Sequence, residues 1–129
     1  MAVSKRTNKR NHPGTHIIAE LFGCQKLNDL KFVARALREA ARICGATILH
    51  AKFHRFSPHG ITGYILLAES HISIHTWPEC GYAAVDVFTC GSMDAEKAVR
   101  HLVEKFGAQK VSMRRIKRGN KINTCKLYL

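Results

Sequence analysis

The chain has 129 residues, enough for one domain with a hydrophobic core, and 46% of them are hydrophobic, as is usual for a soluble globular protein. No apolar run approaches the ~20 residues that are needed to cross a bilayer, and the basic N-terminus lacks the apolar stretch of a secretory signal. We therefore expect no membrane association, and we expect the protein in the cytoplasm.

The formal charge of +12 is concentrated at the two ends of the chain. Neither residues 1–14 nor residues 108–129 contain an Asp or Glu, whereas the middle of the chain is nearly neutral. We expect a basic flexible tail over 1–14, because these residues lack hydrophobic periodicity, and a basic C-terminal tail over 117–129. Such tails can bind nucleic acid or other polyanions weakly.

The first half of the chain predicts one helix among strands. A strand is expected over 16–21, and steps of three and four then place an apolar stripe on one helix face: Leu30, Val33, Leu37, Ala40 or Ala41, and Cys44. Asn28 is the expected N-cap, and Gly45 stands where a left-handed helix end belongs. Strands over 47–56 and 61–69 follow, joined by the loop 57–60.

The second half predicts further strands and a second helix. His71 and His75 stand on an expected strand, and Tyr82 to Thr89 is another after Trp77-Pro78 and the Gly81 turn. Ser92 is the expected cap of a helix that ends at Gly107, with its apolar face formed by Ala95, Ala98, Val99, Leu102 and Phe106. A strand over 110–116 ends the domain, which spans 15–116. The order β-α-β-β-β-β-α-β predicts an α+β two-layer sandwich, an antiparallel sheet with two helices on one face.

The segment 68–91 is unusually rich in His, Ser and Cys, and the residues alone leave several interpretations open. It can be two strands with a polar exposed face. A metal site is not predicted, because His71 and His75 would lie about 13 Å apart on a strand and the five cysteines form no CxxC pair. A serine nucleophile is possible, with Ser70 attacking and His75, five positions later, as its base, although no GxSxG elbow surrounds Ser70.

The same segment resembles the processing and active-site motif of the prokaryotic, pyruvoyl-dependent S-adenosylmethionine decarboxylases. The matching stretches are Glu69-Ser70-His71, Ile74 to Glu79, Gly81-Tyr82-Ala83 and Val85 to Gly91, with further similarity at His16, Glu20, His54-Arg55-Phe56, Gly60 and Gly63. The resemblance covers about residues 14–107, and the order and spacing of the motifs are intact.

The resemblance implies that the chain cuts itself between Glu69 and Ser70. The Ser70 hydroxyl would attack the Glu69 carbonyl to form an ester, and a base, His75 by position, would remove the Ser70 α-proton so that the ester is eliminated. Elimination would release the fragment 1–69 and leave dehydroalanine at position 70. Hydrolysis of this dehydroalanine would give a pyruvoyl group at the start of the fragment 70–129. In a regular strand Ser70 and His75 point to opposite faces, so we expect a bend or a strained turn between them.

The pyruvoyl group would bind the substrate amine as a Schiff base and accept electrons from the departing carboxylate. Cys90 matches the family's proton donor, since a thiol holds a proton at neutral pH and can release it. Phe56 and Trp77 can stack on adenine, and Glu79 can bind ribose hydroxyls. Thr62 stands where the family has a small hydroxyl residue that supports processing.

The expected product is the aminopropyl donor of spermidine biosynthesis, a polyamine pathway, and the family forms homodimers in which both protomers build each active site. One alternative keeps the pyruvoyl scaffold and decarboxylates arginine or ornithine. The other is a basic nucleic-acid-binding module without catalysis, although the ends lack the aromatic interleaving of such modules.

Overall fold

The computed structural model describes residues 14–68 and 70–119. The predicted N-terminal tail before Gly14, Glu69 and the end of the chain from 120 lie outside the described residues. Within them the elements are β1 (Gly14–Phe22), α1 (Leu30–Ile43), β2 (Ile48–Arg55), β3 (Ile61–Leu67), β4 (His71–Trp77), a 3-10 turn (Pro78–Cys80), β5 (Tyr82–Cys90), α2 (Ala95–Phe106) and β6 (Lys110–Arg118).

The six strands form one antiparallel sheet in the order β2-β3-β4-β5-β1-β6. Both helices pack on the same face, where they bury the alternate residues of the strands in a single core. The predicted element order and the α+β two-layer sandwich are therefore confirmed. The last strand runs two residues beyond its predicted end, so Lys117 and Arg118 belong to the sheet.

Both predicted N-caps are wrong by one or two residues. Asp29, not Asn28, caps α1 by accepting from the backbone N–H of Phe32 at 3.1 Å, and Asp94, not Ser92, caps α2. The Asn28 side-chain oxygen Oδ1 instead accepts from the N–H of Gly60 at 2.9 Å and so connects the β2–β3 loop to the helix start. The helix ends are as predicted, with positive φ at Gly45 and Gly107.

A buried threonine fixes the orientation of β4. The Thr76 hydroxyl accepts from the N–H of Ile61 and donates to the carbonyl of Leu27, both at 2.9 Å, on the helix side of the sheet. Because successive strand residues point to opposite faces, His75 and Trp77 are directed to the other side.

The second face of the sheet is not covered by any described element. We call it the open face, and it carries the even-numbered residues of β1, β3, β5 and β6 and the odd-numbered residues of β4. Its alternation with the buried positions is visible in every strand from β3 to β5. Among the described residues, no helix is long and apolar enough to cross a membrane.

Candidate active site

Ser70 lies at the tight connection between β3 and β4. Its backbone exchanges two hydrogen bonds with Leu67, from Leu67 N–H to the Ser70 carbonyl at 2.9 Å and from Ser70 N–H to the Leu67 carbonyl at 3.3 Å. Only two residues separate Leu67 from Ser70, and the second of them, Glu69, lies outside the described residues. Ser70, the residue after the predicted cut, therefore pairs with the last residue of β3 where the chain turns back into β4.

The Ser70 hydroxyl oxygen lies 3.4 Å from the Cys90 sulfur. Cys90 ends β5 and is 7% exposed, and its backbone pairs with Gly14 of the neighbouring strand β1. Twenty positions apart in sequence, the predicted attacking hydroxyl and the predicted proton donor thus meet at one end of the β4–β5 ladder. We call this pair the serine end of the site.

His75 and Thr62 form a second pair, near the opposite end of β4. The Thr62 hydroxyl and His75 Nδ1 are 3.0 Å apart across the β3–β4 ladder, and this pair is exposed on the open face. The two residues that the family resemblance associates with processing are therefore in contact with each other.

A cavity of about 170 Å³ adjoins this pair. Its lining includes the three predicted substrate-binding residues, Phe56, Trp77 and Glu79, together with His59 and His75. Phe56 is 49% exposed and Trp77 is 44% exposed, so neither aromatic ring is part of the core. The Glu79 carboxylate pairs with His59. We call this cavity with the His75–Thr62 pair the histidine end of the site.

The two ends are separated within one chain. β4 pairs without interruption with both β3 and β5, so the bend that was expected between Ser70 and His75 is absent. At ~3.3 Å per residue, five residues of strand span about 16 Å. A side chain cannot bridge that distance, so His75 does not reach Ser70 of its own chain.

A third cluster, centred on Asp86, occupies the open face beside the serine end. Its carboxylate Oδ2 lies 2.6 Å from His16 Nε2 and 2.7 Å from His71 Nε2, and Oδ1 accepts from the Ser73 hydroxyl. Burial raises the pKa of Asp86, but the hydrogen bonds from Ser73, His16 and His71, and the charge of His71, outweigh burial and lower it. Asp86 is therefore ionised at neutral pH.

Sequence reasoning missed this cluster because its members come from three strands, β1, β4 and β5. It considered His71 as a ligand only with His75, which lies on the same strand. The available signal was the alternation of strand residues, which directs His16, His71 and Asp86 to the same face.

The same three residues could hold a metal ion, since their ligand atoms lie within 4.8 Å of one another. A neighbouring arginine opposes this. Arg118 Nη1 lies 3.0 Å from His16 Nδ1, and a guanidinium can only donate, so Nδ1 accepts and neutral His16 carries its proton on Nε2. A metal-bound His16 would instead need its Nδ1 to donate to an acceptor. The arrangement fits a hydrogen-bond network better than a metal centre.

The comparisons with known proteins agree on one family. The model of the family described as S-adenosylmethionine decarboxylase matches residues 15–119. A protein from Carboxydothermus hydrogenoformans named S-adenosylmethionine decarboxylase proenzyme is 48% identical over 112 residues, 84% of this chain and 88% of that one. A protein of the same name from Acidithiobacillus ferrooxidans is 50% identical over 109 residues, 82% of each chain.

Two solved structures resemble the fold. The adenosylmethionine decarboxylase from Aquifex aeolicus matches with a TM-score of 0.77 and 36% identity, over 84% of this chain and 92% of that one. A Trypanosoma brucei structure, described as an AdoMetDC-delta26 monomer, matches with a TM-score of 0.58 over 77% of this chain and 44% of that one. At 16% identity the second likeness concerns the fold only.

Proposed function

Since the chain belongs to the S-adenosylmethionine decarboxylase family, we propose that it cuts itself between Glu69 and Ser70 and then decarboxylates S-adenosylmethionine. The product would be the aminopropyl donor for spermidine biosynthesis. The observation that carries the proposal is the 3.4 Å contact between the Ser70 hydroxyl and the Cys90 thiol. It joins the residue that would be cut and the residue that would return a proton to the substrate.

The residues around position 70 fit a pyruvoyl group made from Ser70. Ser70 stands directly before β4, so the cut would fall outside the helices and outside the paired residues of β3 and β4. After the cut, position 70 remains joined to His71, the first residue of β4. A ketone there supplies the electron sink that ordinary side chains lack.

Cys90 would act as the general acid. Its sulfur lies beside position 70, so the thiol can reach the α-carbon of a substrate amine that is held there. The end of β5 is fixed on two sides, by β4 and by β1, which supports a constant position of the sulfur. Positioned acids of this kind contribute about 10²–10⁴-fold in rate.

The separation of the serine end from the histidine end supports an active site built from two chains. A cavity of about 170 Å³ is smaller than the ~300–1,000 Å³ that is usual for small-molecule sites. The reacting groups lie at the serine end, whereas the cavity with the exposed aromatic side chains lies at the histidine end, about 16 Å away. Each end is incomplete, and each would be completed by the other end of a second copy.

The open face has the composition of a surface that packs against another protein. Six of its large hydrophobic side chains are 38–45% exposed: Ile18, Phe22, Tyr64, Leu66, Trp77 and Ile116. An apolar surface of this kind marks an interaction site in a soluble protein. Packing two open faces together would bury these side chains in a homodimer.

A two-fold axis can complete both sites in the same step. If the axis crosses β4 at right angles near Ser73, the partner's β4 runs in the opposite direction above it. The Ser70 end of each strand then faces the His75 end of the other. His75, supported by Thr62, would thus act as the processing base for Ser70 of the partner chain, and Phe56, Trp77 and Glu79 would bind the partner's substrate.

The exposed aromatic rings favour a nucleoside substrate over arginine or ornithine. Phe56 and Trp77 offer ring faces for adenine, and Glu79 offers a carboxylate for ribose hydroxyls. Neither amino acid alone would use all three. No described feature and no relative favours a non-catalytic nucleic-acid-binding module.

Intact-mass analysis and CO₂ release on the purified protein test the proposal. We expect two fragments, 1–69 and 70–129, the second with a blocked N-terminus. CO₂ release should occur with S-adenosylmethionine and should stay at background with arginine and ornithine. A single stable chain with an unchanged serine after long incubation would refute self-processing, and release from arginine or ornithine would refute the substrate.

A Cys90→Ala variant separates the cut from the decarboxylation. Because the processing groups are Ser70 and His75, we expect this chain still to be cut. Its kcat for decarboxylation should fall by about 10²–10⁴-fold, the loss that is expected for a missing general acid. Cys80→Ala, which changes the exposed cysteine of the 3-10 turn, is the matched control and should keep the wild-type kcat. Wild-type turnover by Cys90→Ala would remove Cys90 from the mechanism.

A further inference from the structure

The proposed cut would turn the reactive residue into a chain terminus. Residue 70 changes from an internal residue into the first residue of the fragment 70–129, and chain termini fray unless something fixes them. The reactive group would be held covalently only through its link to His71. A displacement of about 1 Å at a reacting centre can cost about 10²-fold in rate. The protein must therefore hold the new terminus from outside the hairpin connection.

Resting on the proposed function, we propose that Arg118, His16, Asp86 and His71 form a hydrogen-bonded clamp that holds the new terminus and keeps position 70 beside Cys90. We call these four residues the terminal clamp. They would be positioning residues, since none of them needs to touch the substrate.

Asp86 is the centre of the terminal clamp. One carboxylate oxygen accepts from both imidazoles, at 2.6 Å from His16 Nε2 and 2.7 Å from His71 Nε2. The other oxygen accepts from the Ser73 hydroxyl, two residues further along β4. The side chains of His71 and Ser73, at the start of β4, are thereby bound to the interior strand β5. Hydrogen bonds to a charged group are stronger than those between neutral groups.

Arg118 sets the direction of the hydrogen bonds. It donates to His16 Nδ1 at 3.0 Å, which leaves the proton of neutral His16 on Nε2, facing the Asp86 carboxylate. Its guanidinium also lies over the Phe88 ring, 5.1 Å from the centroid, and His16 stacks on the same ring at 5.1 Å. The arginine and the histidine are thus held in contact by a common aromatic surface.

The strand register explains why this arrangement is possible. Arg118 pairs with Gly14, and Gly14 pairs with Cys90, so the three residues form a row across β6, β1 and β5. A side chain at Gly14 would overlap the Phe88 ring. Glycine at this point lets Phe88 lie between the arginine and the serine end.

The terminal clamp also joins the two fragments. His16 belongs to 1–69, whereas Asp86, His71 and Arg118 belong to 70–129. His16 is 15% exposed and lies between an acceptor and a donor that both come from the other fragment. The fragment that loses its covalent link to position 70 would therefore still help to hold it.

The test combines kinetics with imidazole ¹⁵N NMR. In Arg118→Met we expect His16 to lose its single Nε2–H tautomer, and kcat to fall about 10-fold with KM little changed. Arg118→Lys keeps a cationic donor, so it should retain most of the Nε2–H tautomer of His16 and most of the wild-type kcat. Lys117→Met is the matched control, because it removes a charge from the adjacent position on the other face of β6. The tautomer is also measured in uncut Ser70→Ala protein, where no turnover occurs.

Asp86→Asn is the stronger variant, with an expected loss of about 10²-fold in kcat. Hydrazone formation by the cut protein should show an unchanged content of ketone. The loss in kcat would then come from a displaced ketone at position 70 and not from a failure to form it. Wild-type kcat in Arg118→Met, despite an altered tautomer, would overturn the terminal clamp, and so would equal losses in Lys117→Met. If Asp86→Asn does not fold, the kcat of Arg118→Met, compared with that of Lys117→Met, tests the terminal clamp alone. Absence of a cut or of CO₂ release in the wild type would instead refute the proposed function.

Discussion

Replacing Ser70 with alanine is expected to leave the chain uncut and to reduce CO₂ release from S-adenosylmethionine to the background rate. Alanine has no hydroxyl to attack the Glu69 carbonyl, so neither the ester nor the ketone can form. No other described residue offers a substitute, because the group next to position 70 is the Cys90 sulfur and its proposed role is to return a proton. The measurement is intact mass together with CO₂ release.

Ser92→Ala is the control for this substitution. Ser92 is exposed in the turn that follows β5, and the cap of the next helix is Asp94, so the change should affect neither the cut nor kcat. Loss of turnover in Ser70→Ala must also be shown on folded protein, by an unchanged circular dichroism spectrum. A folded Ser70→Ala chain that decarboxylates at the wild-type rate would contradict the proposed chemistry completely.

Local patterns in the sequence predict the elements of this fold well. The apolar stripe from Leu30 to Cys44 and the face from Ala95 to Phe106 both point into the core, because a 3.6-residue period has few other interpretations. The N-caps were less certain. Asn28 and Asp29 are both good caps, and the choice depends on Gly60, which is 32 positions away from Asn28 and occupies its side chain. A local rule cannot include that contact.

The site shows the same limit more strongly. The family motif brings Ser70, His75 and Cys90 into one short segment of sequence, but it does not say which of them meet. Ser70 and Cys90 meet because β4 and β5 are antiparallel neighbours, and the same regular pairing keeps His75 away. Asp86 gains its two histidines because β1, the first strand, inserts beside β5. These contacts depend on strand order, which follows from the packing of the whole chain.

The division of the site between two ends explains an otherwise puzzling feature. His75 and Thr62 are exposed and bonded to each other, about 16 Å from Ser70 of their own chain. Within one chain they would have no role in processing. In the proposed homodimer they would become the groups that reach the partner's Ser70, and the exposed hydrophobic side chains around them would become its interface.

Co-expression of Ser70→Ala and His75→Ala chains, with different affinity tags, tests this division directly. Each variant alone should remain uncut, because the first lacks the nucleophile and the second lacks the base. In the mixed dimer, the His75→Ala chain keeps its Ser70 and receives the base from its partner, so we expect only that chain to be cut. Tandem purification should then give about one active site per dimer, near half of the wild-type turnover.

A second mixed dimer makes the result specific. Ser70 and Cys90 belong to the same end of one chain, so Ser70→Ala paired with Cys90→Ala should not restore decarboxylation above the level of Cys90→Ala. Complementation between the two ends, but not within the serine end, is expected only if the active site is shared across the open face. If the His75→Ala chain stayed uncut in the mixed dimer, or were cut by itself, His75 would not act on the partner's serine. The two ends would then need another explanation.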